Sequence, residues 1–175
     1  MTIHERYERS ICACHTCRTA CETMPGSVHP DDLPRFATML GLEVDSVEFM
    51  RWFVAHFVAS DGVIGVRNGR IVRVGSIVPR QRANGHCVFL KEGRCSIHAA
   101  SPFACGYFDC SENAAAAQAK ANDMVTGMSS HEGYFLLWNY LHAAGLRVTQ
   151  SVQERRAAWE RARATQADVA IQGGD

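Results

Sequence analysis

Apolar residues recur at helical spacing in several stretches and alternate in one. Val47, Met50, Val54, Phe57 and Val58 follow a three-to-four-residue period. Asp45 with Glu48 before them makes a capping-box start, so the spacing predicts a core-facing helix up to about Ala59. Upstream, VHPDDLPRFATMLGL predicts a shorter helix. Pro30 stands near its first turn, Asp31 and Asp32 suit the positive end of the dipole, and Gly41 ends it. Asp61-Gly62 then breaks the helical period, and GVIGVRNGRIVRVGSIV brings two β-branched arms around Asn68-Gly69. Asn-Gly between such arms predicts an antiparallel hairpin over residues 63–78, because both turn residues take positive φ. CVFL (87–90) and CSI (95–97) predict a second hairpin around Lys91–Arg94.

Further along, Ser101-Pro102 reads as an N-cap followed by proline at the first helical position, starting a turn that carries Cys105. Ala-rich sequence from Glu112 to Val125 favours helix by propensity. Ser129 and Glu132 read as a capping box for an apolar helix with Tyr134, Leu137, Trp138 and Leu141, ending at Gly145. A last helix, Ser151 to about Ile171, carries a thin apolar stripe among charges. The expected fold is α+β: a mainly helical single domain with a small antiparallel hairpin and a cysteine-ligated metal site. Residues 1–110 would form the metal-binding core and 111–175 a C-terminal helical extension packed on the same domain.

Composition narrows the function. With 47% hydrophobic residues in 175, the chain has enough apolar sequence for a core without disulfide staples. Eighteen basic residues balance eighteen acidic ones, with no Lys/Arg block, so neither nucleic acid nor an anionic membrane is an expected partner. No segment has the ~20 apolar residues of a membrane span, and MTIHERYERSICAC shows no signal peptide. These features lead to an expected cytoplasmic location, where thiols stay reduced.

The chemistry lies in eight cysteines in two blocks: Cys12, Cys14, Cys17 and Cys21, then Cys87, Cys95, Cys105 and Cys110. Residues 22–86 contain none. Clustered reduced thiols point to a soft or borderline metal, either tetrahedral zinc or iron in an iron–sulfur cluster. Cys14-x2-Cys17-x3-Cys21 matches the tail of a ferredoxin-type run and leans toward iron–sulfur, though no cysteine stands at position 11 and no proline follows Cys21. One site built from both blocks would close the fold. His15, His86 and His98 lie beside these cysteines as further candidate ligands, with loop positions as the simpler reading. His56, His131 and His142 read as packing residues. Asp31 and Asp32 read as caps, and Asp109 as a single carboxylate beside a thiol. No phosphate loop, G-x-S-x-G or H-E-x-x-H motif fixes a reaction.

The motifs VHPDDLPRFATMLGL, CVFLKEGRCSIH and SPFACGYFDC, in that order behind the first cysteine block, resemble the YkgJ-like cysteine-cluster family. That family is described as a zinc- or iron-chelating domain with a CxxCxxCC signature. The resemblance covers residues 12–110. It implies metal ligands at Cys14, Cys17, Cys21, Cys87, Cys95, Cys105 and Cys110, with Cys12 outside the match as an additional candidate. The chain departs from the pattern at Ala20, where the family has a cysteine, and at Ser101 and Gly106, where it has arginines. Some relatives, the flagellin lysine methylases, hold an iron–sulfur cluster. The implied function is therefore metal binding through an iron–sulfur cluster of the four-iron type, serving electron transfer or a redox or maturation step of a partner. The alternatives are a structural zinc module and an iron-dependent enzyme with an open metal position. Tyr134, Phe135, Trp138 and Tyr140 surround one C-terminal helix and read first as core, with contact of one face with an unknown protein partner or a second copy as the alternative. Val88, Phe89, Phe103 and Phe108 are the expected dry shell of the metal.

Overall fold

The computed structural model describes residues 1–12, 14–148 and 157. Among them the order is α1 (Ile3–Arg6), α2 (His15–Thr23), α3 (Asp32–Leu40), α4 (Val47–His56), β1 (Phe57–Arg67) and β2 (Arg70–Pro79), followed by β3 (Leu90–Lys91) and β4 (Arg94–Cys95). A 3-10 turn (His98–Ala100), α5 (Phe103–Gly106), α6 (Ala114–Ser130) and α7 (Glu132–Ala143) complete it. The helix expected over 151–171 lies outside the described residues. This is the mainly helical α+β arrangement, with an antiparallel hairpin as its only long sheet among the described residues.

The hairpin is longer than its alternating pattern suggests. β1 and β2 pair from Phe57↔Pro79 to Arg67↔Arg70, with Asn68 (φ 51°) and Gly69 (φ 72°) making the tight turn. Asp61-Gly62 does not end the strand. It forms a bulge between Ser60 and Val63, where Gly62 takes φ 116° and a Cβ would lie 1.9 Å from the Val74 carbonyl oxygen. The expected helix to Ala59 therefore stops at His56, and Phe57 and Val58, which fit the helical period, belong to the strand. Both states bury them, so the apolar period could not locate the junction.

Three caps also differ from expectation. Ser46, not Asp45, caps α4 by accepting the Phe49 amide at 3.2 Å. His131 Nδ1, not Ser129, accepts the Tyr134 amide at the start of α7. Pro102 occupies the cap position of α5 itself. The second hairpin forms at the expected place, with Glu92 (φ 50°) and Gly93 (φ 72°) in its turn.

The core joins Phe36, Phe49, Phe53, Phe57, Ile77 and Phe103 with Met124, Met128 and Leu141 from the later helices. Phe53 and Phe57 stack at 4.5 Å across the helix–strand junction. α6 and α7 pack on the hairpin. Tyr134 is the bolt: its hydroxyl donates to the Val28 carbonyl at 2.9 Å and accepts the Ile77 amide at 2.9 Å. These bonds tie α7 to β2 and to the segment entering α3. Asp32 does more than cap α3. Fully buried, its carboxylate accepts the His29 amide at 2.7 Å and the Phe103 amide at 2.9 Å and pairs with His4 at 2.8 Å. It thereby fixes the N-terminus and α5 against α3, on the side of the molecule that carries the cysteines.

Candidate metal centre

The first cysteine block is not only loop. HTCRTACET forms α2, with Cys14 as its N-cap residue and Cys17 and Cys21 one turn apart on its surface. It has few strongly apolar residues, so a search for apolar runs does not reveal it. The sulfurs of Cys12, Cys14, Cys17 and Cys110 all lie within 4.8 Å of one another. Sγ–Sγ separations are 3.8 Å for Cys12–Cys110 and 3.2 Å for Cys14–Cys110. The Cys110 amide donates to Cys17 Sγ at 3.4 Å. We call these four thiols the outer quartet. Cys14 and Cys110 are exposed, and Cys12 and Cys17 are half-buried.

The quartet joins both sequence blocks, but the second contributes only Cys110. Cys12, outside the resemblance, is a full member. Its C-x-C spacing to Cys14 was the one available signal. Cys21, Cys87, Cys95 and Cys105 fall elsewhere. Among the nearby histidines, His15 Nε2 contacts the Thr19 hydroxyl at 3.4 Å and His98 borders a neighbouring cavity. The amide of His86 binds Asn84 Oδ1. None of the three joins the outer quartet.

The electrostatics suit a cation. Cys14 is lowered to about 6, chiefly by the backbone N–H of Cys17 and then by the thiols of Cys110 and Cys12. Cys110 moves the other way, up to about 12, through its contacts with the thiols of Cys14, Cys17 and Cys12. A bound cation would favour the thiolate form of all four.

Asp109 supports the quartet without joining it. Its carboxylate accepts the Ser10 hydroxyl at 2.6 Å and the Ser111 amide at 2.8 Å, and Ser10 Oγ in turn accepts the Cys12 amide at 3.1 Å. These bonds, that from Ser10 first, hold its carboxyl down at about 2. Arginine is also present beside Gly106. From the N-terminal segment, Arg9 donates to the carbonyls of His98 and Ala99 and to Ser101 Oγ, and a Cβ on Gly106 would stand 3.2 Å from its Nη2. Arg9 thus brings a guanidinium beside the positions where the resembling family carries its arginines.

A cavity of about 650 Å³ opens beside the quartet. Cys12, Cys17, Cys21, Cys95, Cys105 and Cys110 all line it. Of the expected dry shell, Phe89 and Phe103 are buried and Phe108 borders the cavity.

A helical α+β frame that gathers thiols from both ends of its core is a cysteine-cluster metal-chelating domain. The chain belongs to the CxxCxxCC family, described as "Putative zinc- or iron-chelating domain", whose model matches residues 13–125. No curated protein and no solved structure matches it. Among the described residues, no helix is long and apolar enough to cross a membrane.

Proposed function

We propose that the protein binds a single zinc or iron ion through Cys12, Cys14, Cys17 and Cys110, and that this ion fastens the N-terminal segment to the turn between α5 and α6. One observation carries the reading: the outer sulfurs are spaced for one ion. Four thiolates around one zinc at about 2.3 Å stand about 3.8 Å apart at the corners of a tetrahedron. The Cys12–Cys110 separation is 3.8 Å and the whole set falls within 4.8 Å. In a four-iron cluster each cysteine binds a different iron, which needs wider spacing. The outer quartet therefore favours a mononuclear ion over the four-iron cluster suggested by the ferredoxin-like spacing.

Four protein thiolates also complete a tetrahedral shell. That is the pattern of closed, structural sites, whereas a catalytic ion keeps a position for water or substrate. When bound, the ion supplies positive charge that holds four thiolates together. The chain's own groups do the rest: the Cys110 amide donates to Cys17 sulfur, and Asp109 with Ser10 fixes the Cys12 backbone.

X-ray absorption on protein purified without oxygen tests the reading. Four sulfur neighbours and no metal–metal scattering from the ion lost in Cys14→Ser/Cys110→Ser would support it. Loss of a centre with metal–metal scattering in that variant would sink it.

A further inference from the structure

Within the outer quartet, the sulfurs of Cys14 and Cys110 stand 3.2 Å apart, against 3.8 Å for Cys12 and Cys110. Thiolates sharing one zinc stand about 3.8 Å apart, so the Cys14–Cys110 pair has drawn inside the metal spacing. A disulfide bond is about 2 Å long, roughly 1 Å less than the present separation. Both thiols are exposed, whereas Cys12, Cys17, Cys21, Cys95 and Cys105 are half-buried and Cys87 is buried. A dissolved oxidant therefore meets this pair first.

The backbones on either side are already tied together. Ser10 N–H donates to the Gly106 carbonyl at 2.9 Å, and the Ser10 hydroxyl donates to Asp109, the residue before Cys110, at 2.6 Å. Asp109 also accepts the Ser111 amide at 2.8 Å and the Ser111 hydroxyl at 2.6 Å. On the other side, Arg18 N–H donates to the Cys14 carbonyl at 3.0 Å in the first turn of α2. Rotation of two side chains is enough to join the sulfurs while these segments stay in place.

We propose that Cys14 and Cys110 are a peroxide-sensitive thiol pair, which closes into a disulfide, opens the outer shell and releases its ion. The release rests on the reading of the quartet as a metal shell; the pairing itself does not.

The step balances with hydrogen peroxide as oxidant. One sulfur of the pair attacks a peroxide oxygen, the O–O bond breaks, and a sulfenic acid and one water form. The second sulfur attacks the first, the S–O bond breaks, and another water leaves as the S–S bond forms. Two thiols thus lose two electrons and two protons, and the peroxide gains them. Where the pair starts as thiolates on an ion, solvent supplies the two protons.

A disulfide sulfur lacks the negative charge that holds a cation. Cys12 and Cys17 would remain as two thiolates where a tetrahedral ion takes four ligands, so the ion leaves. The new bond closes a loop from residue 14 to residue 110. It ties the N-terminal segment to the turn after α5, as the ion did before. A dithiol reductant reverses the change, its own two thiols becoming a disulfide.

The test is a hydrogen peroxide titration of protein purified without oxygen. Each aliquot is read by peptide mass spectrometry after alkylation, by a coloured chelator for released metal, and by melting temperature. A cross-link between Cys14 and Cys110 should form first, with metal leaving at the same rate. Dithiothreitol and added ion should restore the starting state. The oxidised, metal-free chain should melt higher than the reduced, metal-free chain. Cys12→Ser should still form the cross-link, and in Cys110→Ser Cys14 should join no other cysteine. If metal leaves while the first cross-link joins other cysteines, or while thiols pass to sulfinic acid without one, the pair is wrong and the metal reading stands. A Cys14–Cys110 cross-link that forms with the ion still bound would overturn the release, and with it both residues as ligands. The same cross-link in a chain that X-ray absorption shows to hold no ion at the quartet would support the pair and remove the metal reading.

Discussion

Cys14 and Cys110 approach to 3.2 Å between sulfurs although 96 positions separate them in sequence. The contact sets the N-cap residue of α2 against the turn after α5. Around it gather Cys12 and Cys17, and beside it runs the Ser10–Asp109 bond. The N-terminal segment is held to the second cysteine block chiefly by this knot, by Arg9 and by the Asp32 hub.

Cys12→Ser should remove the outer metal as completely as Cys17→Ser does. The family resemblance alone leads to the opposite expectation, since Cys12 lies outside it. Loss of a thiolate from the shell should weaken binding by more than the 10–100-fold typical of a supporting partner. Competition against a coloured chelator measures both variants. Unchanged affinity in Cys12→Ser would exclude Cys12 from the shell.

Asp109→Asn should weaken the outer metal by about 10–100-fold without abolishing it, because Asp109 acts through Ser10 and the Cys12 backbone rather than on the ion. Ser10→Ala should do the same, and the double variant should add little, since the two residues form one chain of bonds. Additive losses in the same chelator competition would show that they act separately.

Tyr134→Phe should destabilise the fold by about 1–3 kcal/mol, because it leaves the Val28 carbonyl and the Ile77 amide without the buried hydroxyl that serves both. Urea unfolding with metal bound measures it. The outer metal affinity should stay unchanged, because Tyr134 sits on the hairpin side of the core.

His29 should make the protein less stable in mild acid. It is 5% exposed, and burial lowers it below its ordinary 6.5, against an opposing pull from Asp31 and Asp32 and a like-signed push from His4 and His131. Its ring lies so close to α6 that a Cβ on Gly127 would meet Nε2 at 1.9 Å. The unfolded chain therefore binds a proton more readily than the native one. The contribution of neutral His29 is complete above about 6.5 and is lost as pH falls through the lowered native value. His29→Asn retains an acceptor for the Asp31 amide, which Nδ1 now takes at 3.1 Å, and removes the titration. The difference in urea midpoint between wild type and variant should shrink from pH 7.5 to pH 5.5. A constant difference would rule out His29 as the titrating group.

Much was readable from local sequence because its causes are local. Asn68-Gly69 specified the hairpin turn through positive φ, and Gly41 ended α3 in the left-handed region at φ 67°. The order of cysteine motifs marked a metal-binding chain, and the family match over 13–125 agrees. The limits are equally physical. Phe57 and Val58 are buried in either a helix or a strand, so periodicity could not show that α4 ends at His56. Asp32 carries the same charge as any first-turn carboxylate, yet tertiary packing buries it among His4, His29 and Phe103.

The eight thiols divide along that line. Sequence alone determined that they exist, that they cluster and that soft metals suit them, because those are properties of sulfur and spacing. Their partition was decided only by the tertiary structure. Cys17 and Cys21 are one turn apart on α2, yet Cys17 joins Cys110 in the quartet while Cys21 stays out of it and lines the cavity. Which sulfurs come together depends on how α2, the β3–β4 hairpin and α5 pack, and that packing rests on contacts between distant segments, such as Gly26 against Ala104 and Asp32 against Phe103.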